Sequence, residues 1–150
     1  MILFHGTNCD INEIDLAKCT PNKDFGKGFY LTDIRKQAEY MALRRVRQSG
    51  EGVTTVIEYY FDESLLKDKT LKVRQFQKPS EAWARFVLDN RQTEGFTHNY
   101  DVVIGPIADD GVALQLRRYM EKLISMRTLM GTSIYSFESA CLRHACSLFA

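Results

Sequence analysis

Two short stretches hold the residues best suited to chemistry. The first, His5-Gly6-Thr7, ends the apolar run Ile2-Leu3-Phe4. A neutral imidazole offers one nitrogen that donates and one that accepts. A strand running into Gly and Thr is a strand–loop junction, where backbone N–H and C=O groups are free to meet a ligand. The second is Gly26-Lys27-Gly28-Phe29-Tyr30. Glycine serves backbone that turns with φ > 0 or comes close to another group, and the aromatic run behind it favours a strand. Tyr30 therefore stands where a glycine turn becomes a strand, a place that can present a ring to a cleft. The alternative is a glycine-rich turn before a core tyrosine, and both readings stand at this point. The GKG triplet has neither the length nor the spacing of a Walker loop or a Rossmann fingerprint, so Lys27 is not a Walker lysine.

The elements that must position these residues follow from periodicity. Val53 to Phe61 is β-branched and aromatic and predicts a strand, as do Leu71 to Phe76 and Tyr100 to Ile107. Thr132 to Phe137 is a candidate last strand. Ile34, Ala38, Met41 and Ala42 repeat at helical spacing and predict a helix from Ile34 to about Gln48. Its Arg35, Lys36, Arg44, Arg45 and Arg47 read as a solvated basic face. Ser80 is placed to cap a helix with Trp83, Phe86, Val87 and Asn90 along one side. Asp109 or Asp110 can cap another, with Val112, Leu116, Met120 and Leu123 in phase. Ser139 could cap a short final helix holding Cys141 and Cys146. Strands and helices alternate irregularly, which favours an α+β fold over a doubly wound one.

The 150 residues, 45% of them hydrophobic, suit one domain, 1–150, with its own core. The net charge of +1 argues against wholesale attraction to nucleic acid or membrane. No apolar run approaches the roughly 18 residues of a membrane span, and MILFHGTN carries no secretory signal. Cys9, Cys19, Cys141 and Cys146 form no CxxC pair and complete no zinc spacing with His5 or His144. They read as reduced thiols of a cytoplasmic protein, or of an effector delivered without a cleavable signal, and no metal is expected.

Taken in order, His5-Gly6-Thr7 and Gly26-Lys27-Gly28-Phe29-Tyr30-Leu31-Thr32-Asp33 resemble the first two signatures of the ADP-ribosyltransferase superfamily. The likeness is to its His-Tyr-Glu branch, which includes poly-ADP-ribose polymerases and diphtheria toxin. The phrases FHGT, DFGKGFYLT, QAEYMA and YDVVIGPIADDGVA, and a leucine-rich helix ending in LIS, resemble more closely a group of small bacterial proteins, the DUF3990 family. The resemblance covers roughly Met1 to Met126.

It implies a split β-sandwich of two small sheets with surrounding helices and a cleft between them. It also implies an NAD-dependent transferase that cleaves the nicotinamide–ribose bond and passes ADP-ribose to a macromolecular target. NAD is then a co-substrate, the context a bacterial toxin or effector, and an antitoxin-like protein a further partner. His5 and Thr7 would contact the adenosine ribose, and Gly6 would pair with the carboxamide, where a side chain would obstruct it. Tyr30 would stack on the cationic nicotinamide. Gly28 and Tyr40 complete the implied cofactor set, although Met41 occupies the register of the family's second tyrosine. The DUF3990 pattern has a Gln three residues before a Phe and a Ser or Thr helix cap. Phe137 and Ser139 fit, and Ile134 stands where the Gln would be. Glu138, the nearest acid, is the third candidate catalytic residue beside His5 and Tyr30, with Asp109 or Asp110 as the substitute. The alternative function is a nucleotide-binding module on the same fold that no longer transfers.

Overall fold

The computed structural model describes residues 1–92, 95–108, 110–137 and 144–148, with the backbone alone for 110, 132–137 and 144–148. It is a mixed α and β structure of six strands and four helices among those residues. Strands β1 (Ile2–Thr7), β2 (Phe29–Thr32), β3 (Thr55–Tyr60), β4 (Val73–Gln75), β5 (Val102–Pro106) and β6 (His144–Leu148) are hydrogen-bonded in the order β3-β1-β2-β6-β5-β4. The helices are α1 (Arg35–Ser49), α2 (Glu81–Gln92), α3 (Asp110–Met120) and α4 (Met126–Phe137).

The ladder is nearly broken at one place. β1 pairs with β3 over all six of its residues, from Ile2↔Tyr60 to Thr7↔Thr55. With β2 it shares a single pair, Phe4↔Thr32. The six strands thus form one sheet, whose two parts, β3-β1 and β2-β6-β5-β4, are joined by that single pair.

Period-two alternation decides which side chains meet which layer. On one face Phe29, Leu31, Val102 and Leu3 form a buried cluster, with Ile11, Ile14 and Leu16 from the long loop after β1 packed against it. On the other, Val103 joins Phe25, Phe76 and the inward residues of α2, α3 and α4, among them Trp83, Val87, Val112, Leu116 and Leu129. Tyr30, between Phe29 and Leu31, is turned to this second cluster.

Helix ends follow local chemistry. Ser80 caps α2 as expected, its Oγ accepting the Trp83 N–H at 3.2 Å, and the Trp83 indole N–H donates to the Pro106 carbonyl at 2.8 Å. α1 ends at Gly50, whose φ of 70° is the left-handed stop that glycine accepts without strain.

Two expectations at the C-terminal end are corrected. Thr132 to Phe137 continues α4 instead of forming a strand, because β propensity yields where the preceding turn is fixed by burial, here of Leu129. The last strand is β6, and Cys146 lies in it instead of in a helix. β6 pairs with both β2 and β5, two strands whose edges would otherwise be open. Ser139 and Cys141 lie outside the described residues.

Candidate functional site

The gap between β1 and β2 opens into a cavity of about 740 Å3. Phe4, His5 and Gly6 of β1 line one wall, Tyr30 to Thr32 of β2 another, and α1 forms a third with Lys36, Gln37, Tyr40, Met41, Arg44 and Arg45. Lys23, Ile107, Ala108 and Gly111 close it.

His5 sits at the point where the strands part. Its Nδ1 lies 2.8 Å from the Tyr30 carbonyl, and its ring stacks on Phe29 with centroids 4.3 Å apart. The carbonyl can only accept, so Nδ1 carries the hydrogen and Nε2 is left as an acceptor. Burial lowers the His5 pKa below its ordinary value. The hydrogen bond to Tyr30 opposes this, and the charges of Arg45 and Lys23 reinforce it. The ring is thus neutral at pH 7, the form that both donates and accepts.

Gly6 owes its identity first to packing. A Cβ there would stand 1.9 Å from the Ala38 carbonyl oxygen and 2.8 Å from the Ala42 nitrogen, both in the α1 backbone. Ala38 and Ala42 are themselves fully buried, so α1 lies directly on the strand. The Gly6 peptide groups nonetheless face the gap. Met1 exchanges two hydrogen bonds with Phe61: its amino group donates to the Phe61 carbonyl at 2.7 Å, and its carbonyl accepts the Phe61 N–H at 2.9 Å. Backbone groups alternate in direction along a strand, so Leu3, His5 and Thr7 turn theirs to β3, and Phe4 and Gly6 turn theirs to the opposite edge. Phe4 meets Thr32 there, and by Gly6 the ladder with β2 has ended.

Asp24, Phe25, Gly26 and Tyr30 each have a mechanical task. Asp24 is buried, ion-paired with Arg91 of α2, and accepts the Ala108 N–H at 2.7 Å. Phe25 is wholly buried in the core. Its carbonyl lies 2.9 Å from His98 Nε2, while Nδ1 of the same ring accepts the Tyr100 N–H. That fixes the tautomer with Nε2 as donor. Gly26 has a φ of +80°, and a Cβ would fall 2.6 Å from the buried Asn90 Oδ1. The Tyr30 hydroxyl closes the turn, accepting the Phe25 N–H at 2.9 Å and donating to the Gly26 carbonyl at 2.8 Å. With its hydroxyl held, the Tyr30 ring stands at the cavity wall, and the Lys23 ammonium lies 4.8 Å from its centroid.

The family model described as "Protein of unknown function (DUF3990)" matches residues 1–139. The chain belongs to the DUF3990 family. Neither the curated proteins nor the solved structures contain a match to this DUF3990 protein.

Of the residues singled out from the DUF3990 sequence, His5, Gly6, Tyr30 and Tyr40 come together on one cavity. Tyr40 is 64% exposed and stands at the rim, beside Met41. Thr7 and Gly28 are buried and are not among the lining residues. Thr7 Oγ1 instead lies 3.8 Å from Cys9 Sγ. Glu138 and Asp109 lie outside the described residues. The basic residues of α1 are exposed, as expected of a solvated face, and Lys36, Arg44 and Arg45 also line the cavity. Lys36 and Arg44, with Tyr40 between them, follow one i, i+4 ridge, while Arg45 follows Gln37 and Met41 on the next. Both ridges face the cavity, so these cations belong to its wall. The missed signal was that spacing, since Arg35 and Arg47 fall outside the two ridges.

Proposed function

We propose that this cavity binds NAD and that the protein is an ADP-ribosyltransferase acting on a macromolecular target. The observation that carries the reading is the parting of β1 and β2, with neutral His5, the Gly6 peptide groups and the Tyr30 ring gathered on one cavity. The volume falls within the roughly 300–1,000 Å3 usual for ligand pockets. The charge of the wall fits as well: Lys23, Lys36, Arg44 and Arg45 are present, and no acid is among the described lining residues.

In this reading the Gly6 N–H and C=O pair with the carboxamide in both directions. The Tyr30 face, flat and rich in π density, lies against the cationic nicotinamide. His5, donating its Nδ1–H to Tyr30, offers Nε2 to a ribose hydroxyl. When the C–N glycosidic bond breaks, its electron pair leaves with nicotinamide, which becomes neutral, and the sugar takes on oxocarbenium character. The acceptor's nucleophile then forms the new bond to the same carbon and gives up its proton. Glu138 is the residue assigned to grip the reacting ribose. A bacterial toxin or effector acting in the cytoplasm and held by an antitoxin-like partner belongs to the same proposal.

A second reading, a nucleotide-binding module without transfer, is favoured by Ile134, which occupies the place of the family's Gln and lies within α4. Nicotinamide release by wild type and by Glu138→Gln, beside an NAD titration, separates the two. An active enzyme should lose about 10²-fold in turnover in Glu138→Gln with little change in NAD affinity, because the contact is made in the transition state. NAD binding without release would establish the module. A wild type that binds no NAD would refute both.

A further inference from the structure

Some cations on this surface are held by carboxylates. On α1, Arg35 contacts both Glu39 and Glu58, and on α2, Arg85 pairs with Glu81 and Arg91 with Asp24. The cations of the cavity wall have no such partner among the described residues, and they stand apart from the other unpaired cations in lining one cavity together. Among the described residues, no carboxylate lies within ion-pair distance of Lys23, Lys36, Arg44 or Arg45. Lys23 comes from the loop before β2 and Arg45 from α1, so they approach the cavity from different elements. Burial first, and then the charge of Arg45, disfavours the charged form of Lys23, and Arg45 and Lys23 both disfavour a charged His5. The Lys23 ammonium lies over the face of Tyr30, a weaker companion than a carboxylate.

Like charges held together without acids are stabilised by an anion placed between them. The loop bearing Lys23 is also held firmly from behind, through Asp24 to Arg91 and through Phe25 in the core. We infer that Lys23 and Arg45 form a two-sided clamp for a phosphate or pyrophosphate group, with Lys36 and Arg44 extending it along α1. The clamp deepens the reading above and rests on it for the identity of the whole ligand, though not for the anion itself. Phosphates accept from both residues, Lys23 as a point charge and Arg45 as a planar fork. An anion there also draws the ammonium away from the Tyr30 face and uncovers the ring for a flat group.

The test is calorimetric titration of wild type, Lys23→Gln and Arg45→Gln with inorganic pyrophosphate, ADP-ribose and 1-methylnicotinamide at fixed ionic strength. Arg35→Gln, whose charge is already met by two acids outside the cavity, serves as control. Both clamp variants should bind pyrophosphate and ADP-ribose about tenfold more weakly, and Arg35→Gln should not. Wild-type affinity for pyrophosphate should fall as salt rises. The Lys23→Gln variant should bind 1-methylnicotinamide at least as well as wild type. Pyrophosphate affinity within twofold of wild type in both variants overturns the clamp. ADP-ribose bound equally by all four proteins does the same while sparing the dinucleotide reading. Clamp-dependent pyrophosphate binding with no binding of ADP-ribose supports the clamp and removes that reading. A wild type that binds neither probe overturns both.

Discussion

Replacing Gly6 by Ala is the most direct probe of how the cavity is built. The added Cβ would stand 1.9 Å from the Ala38 carbonyl oxygen, 2.8 Å from its carbon and 2.8 Å from the Ala42 nitrogen. All three are backbone atoms of α1, so no side-chain rotation relieves the clash. Carbon contacts settle near 3.5–4.0 Å, so the helix must retreat by roughly 1 Å or more. Ala38 and Ala42, at 1% and 0% exposure, would then lose their seat on β1. Overpacking of a close-packed contact costs about 1–3 kcal/mol, and a rigid backbone neighbour puts this case at or above the upper end. For a chain of this size, about 3 kcal/mol corresponds to a fall in Tm of roughly 6–12 °C. Thermal unfolding followed by circular dichroism, with urea titration for the free energy, measures it. NAD binding should weaken as well, because α1 carries Arg44 and Arg45 on the cavity wall. A Gly6→Ala protein with unchanged Tm and urea midpoint would refute the helix-on-strand account. Unchanged stability with lost NAD binding would show that the glycine serves the ligand alone.

Tyr30→Phe should cost about 1–2 kcal/mol in urea unfolding, since the hydroxyl bridges the Phe25 N–H and the Gly26 carbonyl. Its ring face is unaltered, so NAD affinity should largely persist, and a lost affinity with unchanged stability would contradict this. Asp24→Asn should destabilise by about 2–3 kcal/mol, below the figure for a wholly buried pair because 25% of the Arg91 side chain is exposed; an unchanged urea midpoint would count against the clamp behind the loop. The His5 pKa is lowered by folding, so the unfolded chain takes up its proton first on acidification. The His5 contribution should therefore be full well above pH 6.5 and be lost as the pH falls from there to the lowered folded value, by up to ~1.4 kcal/mol per pH unit. His5→Asn should flatten that part of the profile, and parallel profiles for the two proteins would exclude His5 as the cause.

The residues about 25 positions apart that could do chemistry were legible in the sequence because local chemistry marks them. A strand ending in His-Gly, a glycine turn before an aromatic strand, and an amphipathic helix each have a signature read over a few residues. The DFG stretch could be seen as a turn, but not why it holds. Asp24 meets Arg91, Phe25 meets His98 and Gly26 meets Asn90, and such long-range pairings leave no trace in local periodicity. The same limit hid the basic wall. Lys36, Arg44 and Arg45 are exposed as they read, but only the seating of α1 on Gly6 puts them beside the gap. It also hid β6, which forms because β2 and β5 both need a partner, while Thr132 to Phe137 continued as helix against its β-branched pattern. Sequence determined which side chains were available and which elements they began. Tertiary structure decided where β1 and β2 part: β1 pairs along its whole length with β3, meets β2 only at Phe4↔Thr32, and carries the α1 backbone on Gly6 just beyond.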